Sequence, residues 1–271
     1  MNIIKFEVRR SIKSSLLWAL VCSGIIIFFM SLFPSMENSD IQEIVFTKLD
    51  AFPEGLMEAF GLDNMVDFTN IMQYLAYTIQ YISMAIGVYA LILGINALLS
   101  EEVEGTIEFL YAQPVCRNKI VLTKLLSNAY LLFQSIFIIG LFTIAVSIFF
   151  KPEDYDLINL IMGIKEVFLG IYLVAYTYFS IGFFLSSILK PKVGTTSISI
   201  GIFFFSYIVG VVSRLKEELE LLRFLSPFDY VLPMDLVRYG WERKFLVAAI
   251  IIMVLTIAAS FFIYDKKDME I

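Results

Sequence analysis

The chain has 271 residues, of which 59% are hydrophobic and only 17% are charged, and its net charge at pH 7 is −6. Soluble domains are about half apolar and a quarter charged, so this composition excludes an ordinary soluble fold. The acidic balance argues against nucleic acid as a partner, and the absence of histidine removes histidine metal ligands and histidine-dependent catalytic triads.

Six long apolar runs predict membrane-spanning helices. At about 1.5 Å per residue, each run can cross a hydrocarbon core of roughly 30 Å. The second, third and fourth are longer than this requires and should tilt or project. The sequence therefore predicts an all-α polytopic membrane protein that forms one domain over residues 1–271, with spans at about 15–33, 71–99, 120–150, 160–189, 193–213 and 245–264.

The basic residues predict the orientation in the membrane. Positive charge collects in the N-terminal segment, at 190–192 after span four and at 266–267 after span six, which lie on one side of a six-span protein. We expect that side to be the cytoplasm and the membrane to be the plasma membrane. Loop 34–70 is acid-rich and is expected outside, as a small subregion. The glutamates of connector 101–119 run against this charge rule, although Lys124 is expected to reach the cytoplasmic surface.

Two segments outside the spans have amphipathic patterns. In residues 2–13, Ile4, Val8 and Ile12 recur at every fourth position with Lys5, Arg9 and Lys13 beside them. This pattern predicts either a separate helix in the lipid interface or a plain extension of span one. Residues 214–225 predict an amphipathic helix, and the following segment carries interfacial aromatic residues and two prolines. We expect this region to form an external helical pair before span six.

The connector between spans two and three has the most informative pattern. Gly105 is expected to end the helix of span two, and Thr106 to cap a short new helix that stops at Pro114. Glu108 falls in the first turn, where a carboxylate favours the helix dipole. An apolar side formed by Ile107, Leu110 and Tyr111 would stay exposed beside glutamates, which is typical of a docking surface.

This connector resembles the glutamate-rich signature of membrane-spanning (permease) subunits of ABC transporters of the type-2 export family. The matching residues are Glu102, Glu104, Gly105, Thr106, Glu108, Leu110, Pro114, Arg117, Ile120 and Lys124. The layout is similar as well, with an N-terminal interfacial helix, six spans, a cytoplasmic coupling helix between spans two and three, and an external helical pair. Loop 34–70 departs from the family, in which this connection is commonly short.

The resemblance implies that two permease subunits, identical or different, pair in the membrane and that separate ATPase subunits bind ATP and Mg²⁺. This chain has no GxxxxGK[ST] phosphate loop, so it is not expected to be an enzyme or to bind a cofactor itself. Docking of the ATPase is expected to involve Glu101, Glu102, Glu104, Gly105, Thr106, Ile107, Glu108, Leu110, Tyr111, Pro114 and Arg117.

Polar residues inside the spans are candidates for a translocation path, because polar groups are costly in lipid. These are Gln73, Gln80, Asn96, Asn128 and Gln134. Hydrogen bonding between helices is the simpler explanation for each one taken alone. Four glycines, at 170, 182, 201 and 210, are expected where helices pack closely.

Two other functions compete with transport. An intramembrane protease is disfavoured, since the chain lacks histidine and no pair of aspartates lies in the spans. A non-transporting sensor or immunity protein could bind a peptide through loop 34–70. Deleting this loop would separate the two roles: transport that persists while the peptide response is lost would favour the sensor.

Overall fold

The computed structural model describes residues 3–36, 67–105, 116–190, 194–215 and 217–266. It contains six long helices and, before the last of them, two 3₁₀ helices (Glu217–Leu225 and Pro227–Tyr230) and one short α-helix. No β-strand occurs in the described ranges. The α-helices are α1 (Ile3–Met36), α2 (Ile71–Val103), α3 (Arg117–Phe149), α4 (Leu157–Ile188), α5 (Thr195–Arg214), α6 (Pro233–Tyr239) and α7 (Arg243–Lys266).

The six predicted spans are confirmed. All six long helices are long and apolar enough to cross a membrane. Helices α2, α3 and α4 have 33, 33 and 32 residues, and about 20 residues suffice for a hydrocarbon core. They therefore extend beyond it, as their long apolar runs predict.

The N-terminal segment is not a separate helix. Residues 3–13 continue without a break into span one, so α1 has 34 residues. The segment is thus an extension of span one, which was one of the two predicted alternatives. The prediction of a separate interfacial helix is wrong. The sequence has no proline or glycine before Gly24 that would interrupt the helix.

Helix α2 lies at the centre of the bundle. It packs mainly against α4, while α1 packs against α3, and α7 packs against the outer side of α4. Most of α2 is buried, and most of α7 is exposed. Large apolar side chains such as Phe205, Val254 and Leu255 are exposed on the outside of the helices, which suits a lipid environment and not water.

Helices α2 and α4 approach each other through two glycines. A methyl group at Gly94 would lie 2.4 Å from the carbonyl oxygen of Phe179, and one at Gly182 would lie 2.7 Å from the carbonyl oxygen of Leu91. Small residues permit such close contact between backbones in membrane bundles. The predicted packing role is confirmed for Gly182, and likewise for positions 170 and 210, but it is wrong for Gly201, which faces open space.

The two ends of the bundle carry different elements. The connector end comprises the first turns of α1 and α3 and the last turn of α2, and it borders residues 104–116. The short-helix end comprises the 3₁₀ helices and α6, where Arg238 donates a hydrogen bond of 3.1 Å to Gln73 of α2. Three short helices therefore stand where a helical pair was expected, because Pro227 and Pro233 each begin a new helix.

Asp229 anchors the short helices on α5. Its carboxylate is fully buried and lies 3.2 Å from the Nε atom of Arg214. This contact is an ion pair, and the Ser226 hydroxyl donates a hydrogen bond to the other carboxylate oxygen. Burial raises the pKa of the Asp229 carboxyl group, and Arg214 and Ser226 oppose that rise in part. Gly210 leaves the space that this carboxylate occupies.

Candidate functional site at the connector end

Five charged side chains, four from three helices and one from the residue that caps α2, meet at the connector end. The Nζ atom of Lys124 lies 2.6 Å from Oε1 of Glu101 and 2.9 Å from Oε1 of Glu7. Arg10 lies 2.9 Å from the same Glu101 oxygen and also pairs with Glu104. We call Glu7, Arg10, Glu101, Glu104 and Lys124 the ionic cluster. It joins α1 and α3 to the last turn of α2.

Lys124 is the most deeply buried member of the ionic cluster. Its side chain is only 1% exposed, and a lysine is almost never fully buried unless it is paired. The expectation that Lys124 extends to the membrane surface is therefore wrong. Two carboxylates offer it a closer partner than water does, and the pairing offsets the cost of burying its charge.

The position of α1 follows from how its charges divide between two faces. Glu7 and Arg10 are three residues apart and share a face, which meets α2 and α3. Lys5, Arg9 and Lys13 recur every four residues on the exposed face. Below the ionic cluster, the Ser15 hydroxyl donates to the Leu131 carbonyl oxygen over 3.1 Å and lies 2.7 Å from the Ser135 hydroxyl. These contacts fix α1 lengthwise against α3.

The predicted docking residues fall into two groups. Gly105 has a φ of +68° directly after α2, so it ends that helix as predicted. Arg117 donates a hydrogen bond of 3.1 Å to the Asp265 carbonyl oxygen and thereby ties α3 to the end of α7. Glu102 lies between Glu101, in the last turn of α2, and Glu104, which caps the end of that helix. The remaining docking residues lie outside the described residues, together with the expected coupling helix: Thr106, Ile107, Glu108, Leu110, Tyr111 and Pro114.

The predicted path residues do not share one site. Asn96 and Asn128 both line a cavity of about 580 Å³ beside the ionic cluster. Gln80 lines a pocket of about 290 Å³ at the short-helix end. Gln73 accepts the hydrogen bond from Arg238, and within the described part of the chain the buried Oε1 atom of Gln134 has no partner. Their role in transport stays a prediction.

Sequence reasoning missed four residues of this region. Glu7 and Arg10 complete the ionic cluster, and the rings of Trp18 and Tyr89 contact each other at a tilt beside the cavity. One signal was available, because Glu7 is the single acid in a basic segment and lies one turn from Arg10. Nothing in the sequence indicated that this face meets Glu101.

The fold and the site together define a polytopic membrane protein whose N-terminal helix is tied to the connector between spans two and three. A family model described as "ABC-2 family transporter protein" matches residues 1–269. The chain belongs to that family, and it is therefore a permease component of an ABC transporter and not itself an ATPase. The family implies an ATP-binding partner subunit, which holds the nucleotide and Mg²⁺. None of the curated proteins matches the chain.

Proposed function

We propose that the chain forms the translocation path of an ATP-driven exporter by pairing with a second permease subunit. Separate ATPase subunits dock on residues 101–117 from the cytoplasm, and both termini lie on that side of the plasma membrane. Movement of the docked ATPase shifts the connector, and the helices attached to it open or close the path.

The ionic cluster is the observation that carries this proposal. Glu101 and Glu104 immediately precede the connector, and Lys124 lies two turns into the helix that follows it. Both sides of the connector are bonded to each other and to α1 through Glu7 and Arg10. A force applied to the connector would therefore reach α1, α2 and α3 together.

Exposed basic residues support the proposed orientation. Lys5, Arg9, Lys13 and Lys119 are all exposed at the connector end, and cytoplasmic loops carry an excess of lysine and arginine. The glutamates that oppose this rule are partly neutralised, since Glu101 and Glu104 pair with cluster cations.

Replacing Leu110 with alanine together with Glu108→Gln should uncouple the ATPase. An apolar anchor at an interface core commonly contributes about 2 kcal/mol or more, so docking should weaken roughly 30-fold. The measurement is ATP hydrolysis by the co-purified partner ATPase, with and without the variant permease in lipid nanodiscs.

Leu122→Ala is the matched control for this experiment. Leu122 is 46% exposed on the lipid-facing side of α3, outside the connector, and its removal should leave hydrolysis unchanged. Stimulation by the Leu110→Ala and Glu108→Gln double variant that equals the wild-type value would contradict docking at this connector.

The basic face of α1 is proposed to hold anionic lipid. Lys5, Arg9 and Lys13 make no ion pair with other described residues, and exposed leucines follow them along α1. Each such charge contributes about 1 kcal/mol at an anionic surface. Changing all three residues to glutamine should reduce the anionic phospholipid retained after purification, as counted by native mass spectrometry. Arg243→Gln, at the short-helix end, should not, and equal retention would contradict the proposal.

A further inference from the structure

A cavity of about 580 Å³ opens beside the ionic cluster, between α1, α2, α3 and the first turn of α5. Its size falls within the range of small-molecule sites. The lining extends from Glu104, at the end of α2, to Tyr89, which is 15 residues earlier in the chain. Tyr89 therefore lies roughly 22 Å deeper along the axis of α2. The cavity thus leads from the end of the bundle into the membrane-spanning part.

Tyr89 closes the deep end of this cavity with its ring. Its side chain is only 4% exposed, and its hydroxyl group is directed toward the buried hydroxyl groups of Ser15 and Ser135. The ring, and not the hydroxyl group, is therefore the part of Tyr89 that borders the cavity.

An aromatic pair forms the deep part of the lining. The ring centroids of Trp18 and Tyr89 are 5.1 Å apart with an interplanar angle of 30°. Tryptophan and tyrosine faces attract cations, and the attraction is stronger where water is excluded. The amides of Asn96 and Asn128 add polar contacts on the same wall.

The charges beside the cavity favour a cation. Among the described residues, the ionic cluster holds three carboxylates, on Glu7, Glu101 and Glu104, and two cations, on Arg10 and Lys124. Glu7 and Glu104 line the cavity directly, together with Arg10. The three basic residues of the exposed α1 face are not part of the lining. The field inside the cavity should therefore attract positive charge.

We propose that this cavity binds an organic cation that carries aromatic or apolar groups. The aromatic pair would contact the charged centre and the apolar groups, and the carboxylates of Glu7 and Glu104 would balance the ligand's charge. This inference rests on the proposed export function and names its substrate class.

Two isosteric probes of opposite charge test whether the ligand is a cation. The chain has only two tryptophans, so a Trp241→Phe background leaves Trp18 as the sole tryptophan reporter. Tetraphenylphosphonium should change its fluorescence saturably in detergent or nanodiscs, while tetraphenylborate should give only a linear, partition-type response. Saturable binding of tetraphenylborate with similar affinity would overturn the assignment of a cation.

Two variants test the site. In the same background, Tyr89→Leu should weaken tetraphenylphosphonium binding by about fivefold or more, as expected for losing a desolvated cation–π contact. Tyr81→Leu, on the outer half of the same helix, is the control and should leave affinity unchanged. Glu104→Gln, at an exposed position, keeps the test valid if Tyr89→Leu does not fold, and it should weaken binding in a salt-dependent way.

The outcomes separate this inference from the function on which it rests. Affinity that is unchanged in both Tyr89→Leu and Glu104→Gln would place the probe elsewhere and overturn the site. Absence of saturable binding, with ATPase stimulation by the wild-type chain intact, would overturn the substrate class and leave the transporter proposal standing. Loss of ATPase stimulation in the coupling experiment tests only the transporter proposal, because probe binding is measured without the ATPase.

Discussion

Replacing Lys124 with methionine is expected to destabilise the folded protein by about 3–5 kcal/mol, the cost of breaking a buried ion pair. Methionine fits the space, but it leaves Glu7 and Glu101 buried without their shared cation. The measurement is the apparent Tm of the detergent-purified protein, followed by the loss of monodisperse material on heating.

Two further variants define the cause. Lys119→Met removes an exposed cation from the same helix and should change stability by no more than about 0.5 kcal/mol. Adding Glu7→Gln to Lys124→Met removes the buried carboxylate whose described ion pair is lost, while Glu101 keeps Arg10, and this should recover part of the lost stability. A Lys124→Met protein as stable as the wild type would show that the ionic cluster does not hold α1 in place.

Replacing Gly94 with alanine is expected to cost about 3 kcal/mol, at the upper end of the usual range for overpacking. The added methyl group would lie 2.4 Å from the Phe179 carbonyl oxygen and 2.7 Å from the Phe183 backbone nitrogen. Backbone atoms cannot rotate away as side chains do, so α2 and α4 must separate. The measurement is thermal stability, together with the yield of folded protein after membrane extraction.

Gly24→Ala and Gly201→Ala are matched controls for this change. Both positions are helical, and no atom lies within 4 Å of the added methyl group. Alanine favours helix over glycine by about 1 kcal/mol in soluble helices, so these variants should be neutral or slightly more stable. Equal behaviour of all three variants would contradict a tight crossing of α2 and α4.

Local features of the sequence were sufficient to predict the spans and the end of α2. Apolar runs of membrane length have no alternative to a helix in lipid, because every backbone polar group must bond within its own segment. Gly105 ends its helix because it adopts a positive φ at low cost. The connector signature likewise indicated the ABC-2 family, which the match over residues 1–269 confirmed.

Contacts between distant segments could not be predicted in this way. Residue Lys124 is 117 positions from Glu7 in the sequence, and only the packing of α1 against α3 brings them together. The N-terminal segment has an amphipathic pattern that fits two structures equally well. In the structure the segment continues into α1, and its side chains form ion pairs with α2 and α3. The residues of the segment do not specify where α2 and α3 lie.

The sequence by itself determined that this protein has six helices long and apolar enough to cross a membrane, since hydropathy is a property of neighbouring residues. The residues of its connector also indicated the ABC-2 family. The tertiary structure decided how the connector is supported. It also gave a reason why acids are accepted at the connector end, since Glu101 and Glu104 neutralise cations that reach them from α1 and α3. Such pairing depends on three helices meeting at one height, and this is a property of their packing and not of any one segment.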